Sequence, residues 1–224
     1  MRSVRLNFSK SGRAIYISHL DVNRMMSRAV RRARLPMWYT EGFNPHPYIS
    51  FALPLSLGME SDCEFMDIRV EGDITDSEIA ERLNAVLPEG IRILSAAEPV
   101  FNSNLIESAR YFIKLTFDSE VGAANFAADS EALLEKDEII AEKPGKKGHR
   151  KVMKQVDLKS FIYDIKLTHT GDVVNIQAVL AAGNTNNLNP NLLIEALEKH
   201  TGVYHKYIAV ARKKLITSEG KEFK

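Results

Sequence analysis

The order in which extended and helical segments follow one another over the first hundred residues constrains this chain most. Val4, Leu6 and Phe8 alternate with Arg5 and Asn7, a period of two that predicts a half-buried strand. Ser11-Gly12 turns the chain, and residues 14–17 read as a second short extended piece. A helix is predicted from Ser18, whose hydroxyl can cap free amides while Asp21 faces the positive helix end. Pro36 stops it at about Arg34. Strands are predicted over residues 48–53 and 64–70. Thr75 caps a second helix through Leu87, Pro88-Glu89-Gly90 breaks it, and residues 91–94 open a last strand. The order β, α, β, β, α, β is the split βαβ, or ferredoxin-like, pattern: four antiparallel strands with two helices on one face.

The remainder repeats the plan with insertions. Tyr111, Ile113, Leu115 and Phe117 alternate as a strand, and a weak helix follows over residues 123–135. Extended pieces over 138–141 and 151–156 flank a basic turn, and strands follow over 163–167 and 173–180. Asn189-Pro190 is a cap with proline in the first turn, so a helix runs to about His200, and residues 204–215 supply a closing strand. The expected fold class is therefore α+β, with two tandem ferredoxin-like units built on antiparallel sheets. Residues 1–98 form the first unit, 99–109 a linker containing Asn102 and Asn104, and 110–224 the second. The last six residues read as frayed.

Composition narrows the function classes. No apolar run reaches the roughly 18 residues that cross a bilayer, and the first residues enter an amphipathic segment, so a soluble, cytoplasmic chain with no membrane partner is expected. A single cysteine, Cys63, excludes a disulfide framework, a cysteine zinc site and a chain-borne iron–sulfur cluster. The net charge of +1 conceals segregation. Residues 1–50 hold nine Lys/Arg against two Asp/Glu, residues 51–141 six against nineteen, and residues 142–224 fifteen against eight. Two basic regions flanking an acidic one allow a local anion-binding face.

The first helix carries most of the basic charge. On a helical wheel Arg24, Arg28 and Arg31 share one face, with Arg32 and Arg34 at its borders and Val22, Met26, Ala29 and Ala33 opposite. Guanidinium groups fork onto phosphate and stack on bases, so this face suits RNA; an acidic protein or plain solvent are the other readings. Next comes a twelve-residue connection, 36–47, unusually long for a compact domain. Trp38, Tyr39 and Phe43 offer base-stacking surfaces there, or cover for the sheet edge. His19 and His46 border this region and are the weak catalytic candidates for acid–base cleavage of RNA. Neither has a third ligand at suitable spacing, so no metal and no cofactor are expected. Glu60, Asp62, Glu64 and Asp67 surround Cys63, and alternation divides these carboxylates between strand faces, which reads as an exposed acidic face beside a buried thiol. In the turn over residues 143–151, Lys146, Lys147 and Arg150 can clamp a nucleic-acid backbone by charge alone. The asparagine-rich stretch 183–190 can present amides to an anion, or simply cap its helix.

Ser18-His19-Leu20-Asp21, the arginine helix, Glu41-Gly42-Phe43-Asn44-Pro45-His46-Pro47, Ile49-Ser50-Phe51-Ala52-Leu53-Pro54-Leu55, Leu57-Gly58 and Glu64 together resemble a bacterial family of unknown function, the radical SAM-linked (radical SAM-associated) proteins. The likeness resumes weakly at Val156-Asp157-Leu158 and Asn189-Pro190. It implies a radical SAM protein encoded nearby as partner, and no catalytic residue to carry over. The chain has no CxxxCxxC motif, so cluster chemistry would belong to that partner. The asparagines before Pro190 stand where relatives often have a glycine-rich, arginine-containing stretch, which weakens an anion site there. The resulting expectation is an accessory protein that binds RNA or presents an RNA-related substrate without being catalytic. An endoribonuclease of the paired ferredoxin-like type and a purely protein-binding adaptor are the alternatives.

Overall fold

The computed structural model describes residues 1–147, 150–183 and 185–224, with the side chains of 144–147, 150 and 151 outside that description. The chain divides into two compact units: Met1–Glu107 with Arg212–Lys224, and Ser108–Ala211. The tail from Arg212 therefore belongs with the first unit, whereas a division of the sequence at residue 110 places it with the second.

In the first unit β1 (Arg2–Lys10) is followed by a 3-10 turn at Gly12–Tyr16, in place of the short extended piece expected there. The turn forms because Ala14 N–H donates to the Ser11 carbonyl and Ile17 N–H to that of Ala14. Helix α1 (His19–Arg32) starts at Ser18, whose hydroxyl accepts from Asp21 N–H. Strand β2 is short (Ile49–Phe51), and β3 is long (Met59–Val70). Thr75 caps α2 (Asp76–Asn84) by accepting from Glu78 N–H, and β4 runs Ile91–Ala97. The strand order is β4-β1-β3, with β2 also on β3. All three pairings are antiparallel, and the register sets Val4 opposite Ile68 and Leu6 opposite Met66. Val4, Leu6, Phe8, Met66, Ile68 and Val70 present one sheet face to Val22, Met26, Ala29 and Val30 of α1 and to Ile79 and Leu83 of α2. Fully burying side chains of this size contributes roughly 1.5–3 kcal/mol each, so this contact anchors α1 and fixes which of its faces is left to solvent.

Helix α1 ends in a left-handed turn at Arg34, φ 50°, closed by Leu35 N–H donating to the Val30 carbonyl, a position that usually holds glycine. The predicted linker is tied down: Asn102 caps a 3-10 turn at Ser103–Leu105, and β5 begins at Ile106. The C-terminus is likewise not frayed. Phe223 is buried against Phe65, Arg5 stacks on its ring at 4.4 Å, and its N–H donates to the Leu215 carbonyl.

The second unit is also mixed α and β. Strand β5 (Ile106–Thr116) leads into α3 (Glu120–Leu134), then the hairpin β6 (Ile140–Lys147) and β7 (Arg150–Asp157). Strands β8 (Ile162–Thr170) and β9 (Val173–Ala181), helix α4 (Pro190–Thr201) and β10 (Tyr207–Thr217) complete it, β10 passing into the first unit at Arg212. The order is β10-β5-β9-β8, and β6–β7 form a separate ladder. Lys143–Lys154 and Lys147–Arg150 face each other across that ladder, so the basic segment lies mostly on paired strands rather than in a turn. Ile113, Leu115, Phe126, Ile176, Leu193 and Leu197 are buried within the unit. Among the described residues, no helix is long and apolar enough to cross a membrane.

Candidate functional site

Because Val22, Met26, Ala29 and Val30 are committed to the sheet, the basic residues of α1 point outward. They do not form a single row. Arg24, Arg28 and Arg32 line a groove of about 550 Å³ whose other wall is Val86, Leu87 and Pro88, the segment after α2; Asp21, Met25 and Ala29 complete it. Arg31 is exposed but lies outside the groove, so the third arginine is Arg32, which the wheel sets at the border. Asp21 holds Arg24 at 3.3 Å and accepts a hydrogen bond from the Ser18 hydroxyl at 2.6 Å, which keeps its carboxyl below the usual range. Among the described residues, neither Arg28 nor Arg32 has an ion-pair partner.

The connection after α1 folds back on itself. Tyr48 N–H donates to the Trp38 carbonyl, Thr40 N–H to that of His46, and Tyr39 bridges Pro47, leaving Glu41–Pro45 at the tip. His46 Nδ1 sits 2.9 Å from the Asn44 carbonyl and 3.1 Å from Thr40 Oγ1, so its ring stitches the loop together. The aromatic residues part company. Trp38 is half-buried, with the Arg69 guanidinium 5.2 Å from its ring and 4.2 Å from that of Tyr48. Tyr39 is 43% exposed, and Phe43 is fully exposed at the tip, where Gly42 adopts φ 119°.

His19 lies elsewhere. Its ring packs edge-on to Phe51, with centroids 5.0 Å apart, above a cluster of buried charges that includes Glu64, which is not on an exposed acidic face, whereas Glu60 and Asp62 are exposed. Glu64 is 4% exposed and Arg212 2%. Arg212 Nε and Nη2 donate to Glu64 over 2.6–2.9 Å, and the remaining reach of the guanidinium goes to the Leu53 and Pro54 carbonyls. Lys10, also 2% exposed, donates to the Ile17 carbonyl at 2.8 Å. Burial pulls the Lys10 and His19 pKa values down; Glu64 counters this, and Arg212 adds to it. Cys63 donates to the Arg212 carbonyl, and burial pushes its thiol up to about 12, so the thiolate is suppressed. The void among Phe8, Lys10, His19, Phe51 and Glu64 is only about 10 Å³, room for one water at most. This cluster organises the first unit and leaves no space for a substrate. Lys10 extends the inward parity of Val4, Leu6 and Phe8, and Glu64 that of Met66, Ile68 and Val70, a signal present in the sequence.

The structure places His19 in that cluster and His46 in the loop, with no contact between them among the described residues. The side chains of Lys146, Lys147 and Arg150 lie outside those described. Gly183 N–H donates to Asn186 and Asn189 caps α4, while Asn184 lies outside the described residues. No group of three or more possible metal ligands occurs among the described residues.

Residues 3–190 match a family described as "Uncharacterized protein conserved in bacteria (DUF2344)". The chain belongs to that family. Comparison with curated proteins finds no match. Among solved structures, a chain of the "Crystal Structure of a Cbf5-Nop10-Gar1 Complex" is similar in fold, with a TM-score of 0.53 at 11% identity. The match covers 95% of this chain but 48% of that one, so this chain spans about half its length, and at that identity the likeness concerns fold alone.

Proposed function

We propose that this family member is a non-catalytic RNA-binding accessory protein, working with a radical SAM protein that supplies any chemistry. The observation that carries the RNA reading is the α1 groove: three arginines on one side, an apolar wall on the other, and no carboxylate partner for Arg28 or Arg32 among the described residues. Arginines not used in internal ion pairs are available to phosphate, and in the open they bind it by forked, charge-assisted hydrogen bonds. The exposed Phe43 and Tyr39 supply stacking surfaces on a loop held in shape by its own hydrogen bonds. The contacts of His46 Nδ1 with Asn44 and Thr40 hold its ring as part of the loop, and His19 lies in a separate cluster with no contact to it among the described residues, so the two do not form a paired acid–base site. The strand orders β4-β1-β3-β2 and β10-β5-β9-β8 support reading each unit as ferredoxin-like. The radical SAM partner rests on the sequence resemblance.

Capture of the tagged protein from its host without nuclease tests both parts. A defined RNA class that disappears with Arg24→Glu/Arg28→Glu/Arg32→Glu, alongside a radical SAM protein, is the expected result. A radical SAM partner with no RNA would replace the RNA reading with that of a docking adaptor.

A further inference from the structure

The shape of the α1 groove narrows what kind of nucleic acid it takes. Residues four apart on a helix are displaced by about 6 Å along its axis and rotated by about 40°, so Arg24, Arg28 and Arg32 form an evenly spaced ridge that winds gently around the helix. That row has the repeat of phosphates along one extended strand. The opposite wall, Val86, Leu87 and Pro88, offers no hydrogen-bond donor from its side chains and suits a flat, weakly polar face. A base presents such a face only when unpaired; in a duplex the faces are stacked away and only phosphates and groove edges are outside. The groove, of about 550 Å³, is of a size to take bases one at a time along its length. At the N-terminal end Asp21 sits beside Arg24 and repels a further phosphate.

We infer that the groove binds a single strand lengthwise, with three consecutive phosphates on Arg24, Arg28 and Arg32 and their unpaired bases against Val86, Leu87 and Pro88. This rests on the RNA-binding reading and adds strandedness, length and register to it. Arg31, one helical step off the row and outside the groove, takes no part. The ring of Pro88 and the Leu87 side chain act as a sequence-tolerant platform, so base identity matters little.

Fluorescence anisotropy with the whole protein tests the inference. The probes are labelled oligouridylates of two, four and eight residues and an eight-pair RNA duplex, at one fixed low salt concentration. Binding is expected to strengthen from two residues to four and change little beyond, and the single strand is expected to bind at least about tenfold more tightly than the duplex. Arg32→Glu swaps an attraction for a repulsion and is expected to cost about tenfold or more, whereas Arg31→Glu stays within about threefold. Both residues are exposed, so matched thermal melts will show that each variant is folded. Equal binding of duplex and single strand, or equal losses in the two variants, would overturn the inference while leaving RNA binding in place. Failure of every probe and of mixed cellular RNA to bind would overturn the RNA reading beneath it.

Discussion

Replacing Glu64 by glutamine removes one negative charge from a place where two buried cations depend on it. Arg212 grips the carboxylate through bonds of 2.9, 2.7 and 2.6 Å, and Lys10 feels it electrostatically. Lys10 and Arg212 are each 2% exposed, so solvent does little of the screening that makes surface pairs weak. Breaking a buried pair by removing one partner costs about 3–5 kcal/mol, because the other charge stays buried without compensation. Against a typical total of about 5–15 kcal/mol that is a large fraction, easily read as a lower urea midpoint at unchanged slope. The deficit is also expected to depend on pH. Burial already lowers the Lys10 pKa from 10.5, and loss of Glu64 lowers it further. The neutral amine is then the better-tolerated form in the fold, and stability recovers as pH rises through the lowered value toward 10.5. The double variant Glu64→Gln/Arg212→Met keeps the test open if the single one unfolds: it is expected to be more stable than the single variant, since it removes a buried guanidinium charge that Glu64 no longer balances. A loss below about 1 kcal/mol, flat with pH, would refute the reasoning, for it would mean that these charges are hydrated in the folded protein.

Three further outcomes follow from the geometry. Arg34→Gly relieves a left-handed residue at φ 50° and is expected to stabilise the protein by about 1 kcal/mol, measured as a rise in Tm of a few degrees. His19, whose folded pKa lies below its unfolded value of about 6.5, makes the fold lose stability as pH falls through that unfolded value, because the unfolded chain takes up the proton first. Urea midpoints at pH 7.5 and 5 should therefore differ less in His19→Gln than in the wild type. Cys63, buried and with its thiol pushed up to about 12, is expected to ignore iodoacetamide at pH 8 until denaturant is added; prompt labelling of the native protein would contradict the packing.

The helix starts were legible because caps are local. Ser18, Thr75 and Asn189 each accept from an amide two or three residues on, an arrangement that needs no knowledge of the tertiary fold. Strand lengths were not, since ends such as Met59 and Ile106 are set by partners far along the chain. The tail read as frayed because it is polar, and a single phenylalanine, Phe223, reverses that by finding Phe65 and Arg5. The buried position of Glu64 was concealed by its charge: alternation gave its parity, but only Arg212, 148 residues away, explains how a carboxylate can face inward. The arginine helix was visible at once, yet a wheel fixes angles and not neighbours. Which arginines share a groove depends on Val86, Leu87 and Pro88, which lie opposite Arg24, Arg28 and Arg32 and not Arg31.

The most direct test of the central claim is the salt dependence of RNA binding by the intact protein. Three phosphates neutralised on a single strand give a slope of about −2 in log K against log salt. The wild-type protein is expected to show that slope, and Arg28→Glu/Arg32→Glu to lose both the slope and most of the affinity while melting as the wild type does. Binding that is insensitive to salt, or that survives the double charge reversal, would contradict the assignment of the α1 groove as the RNA-binding surface.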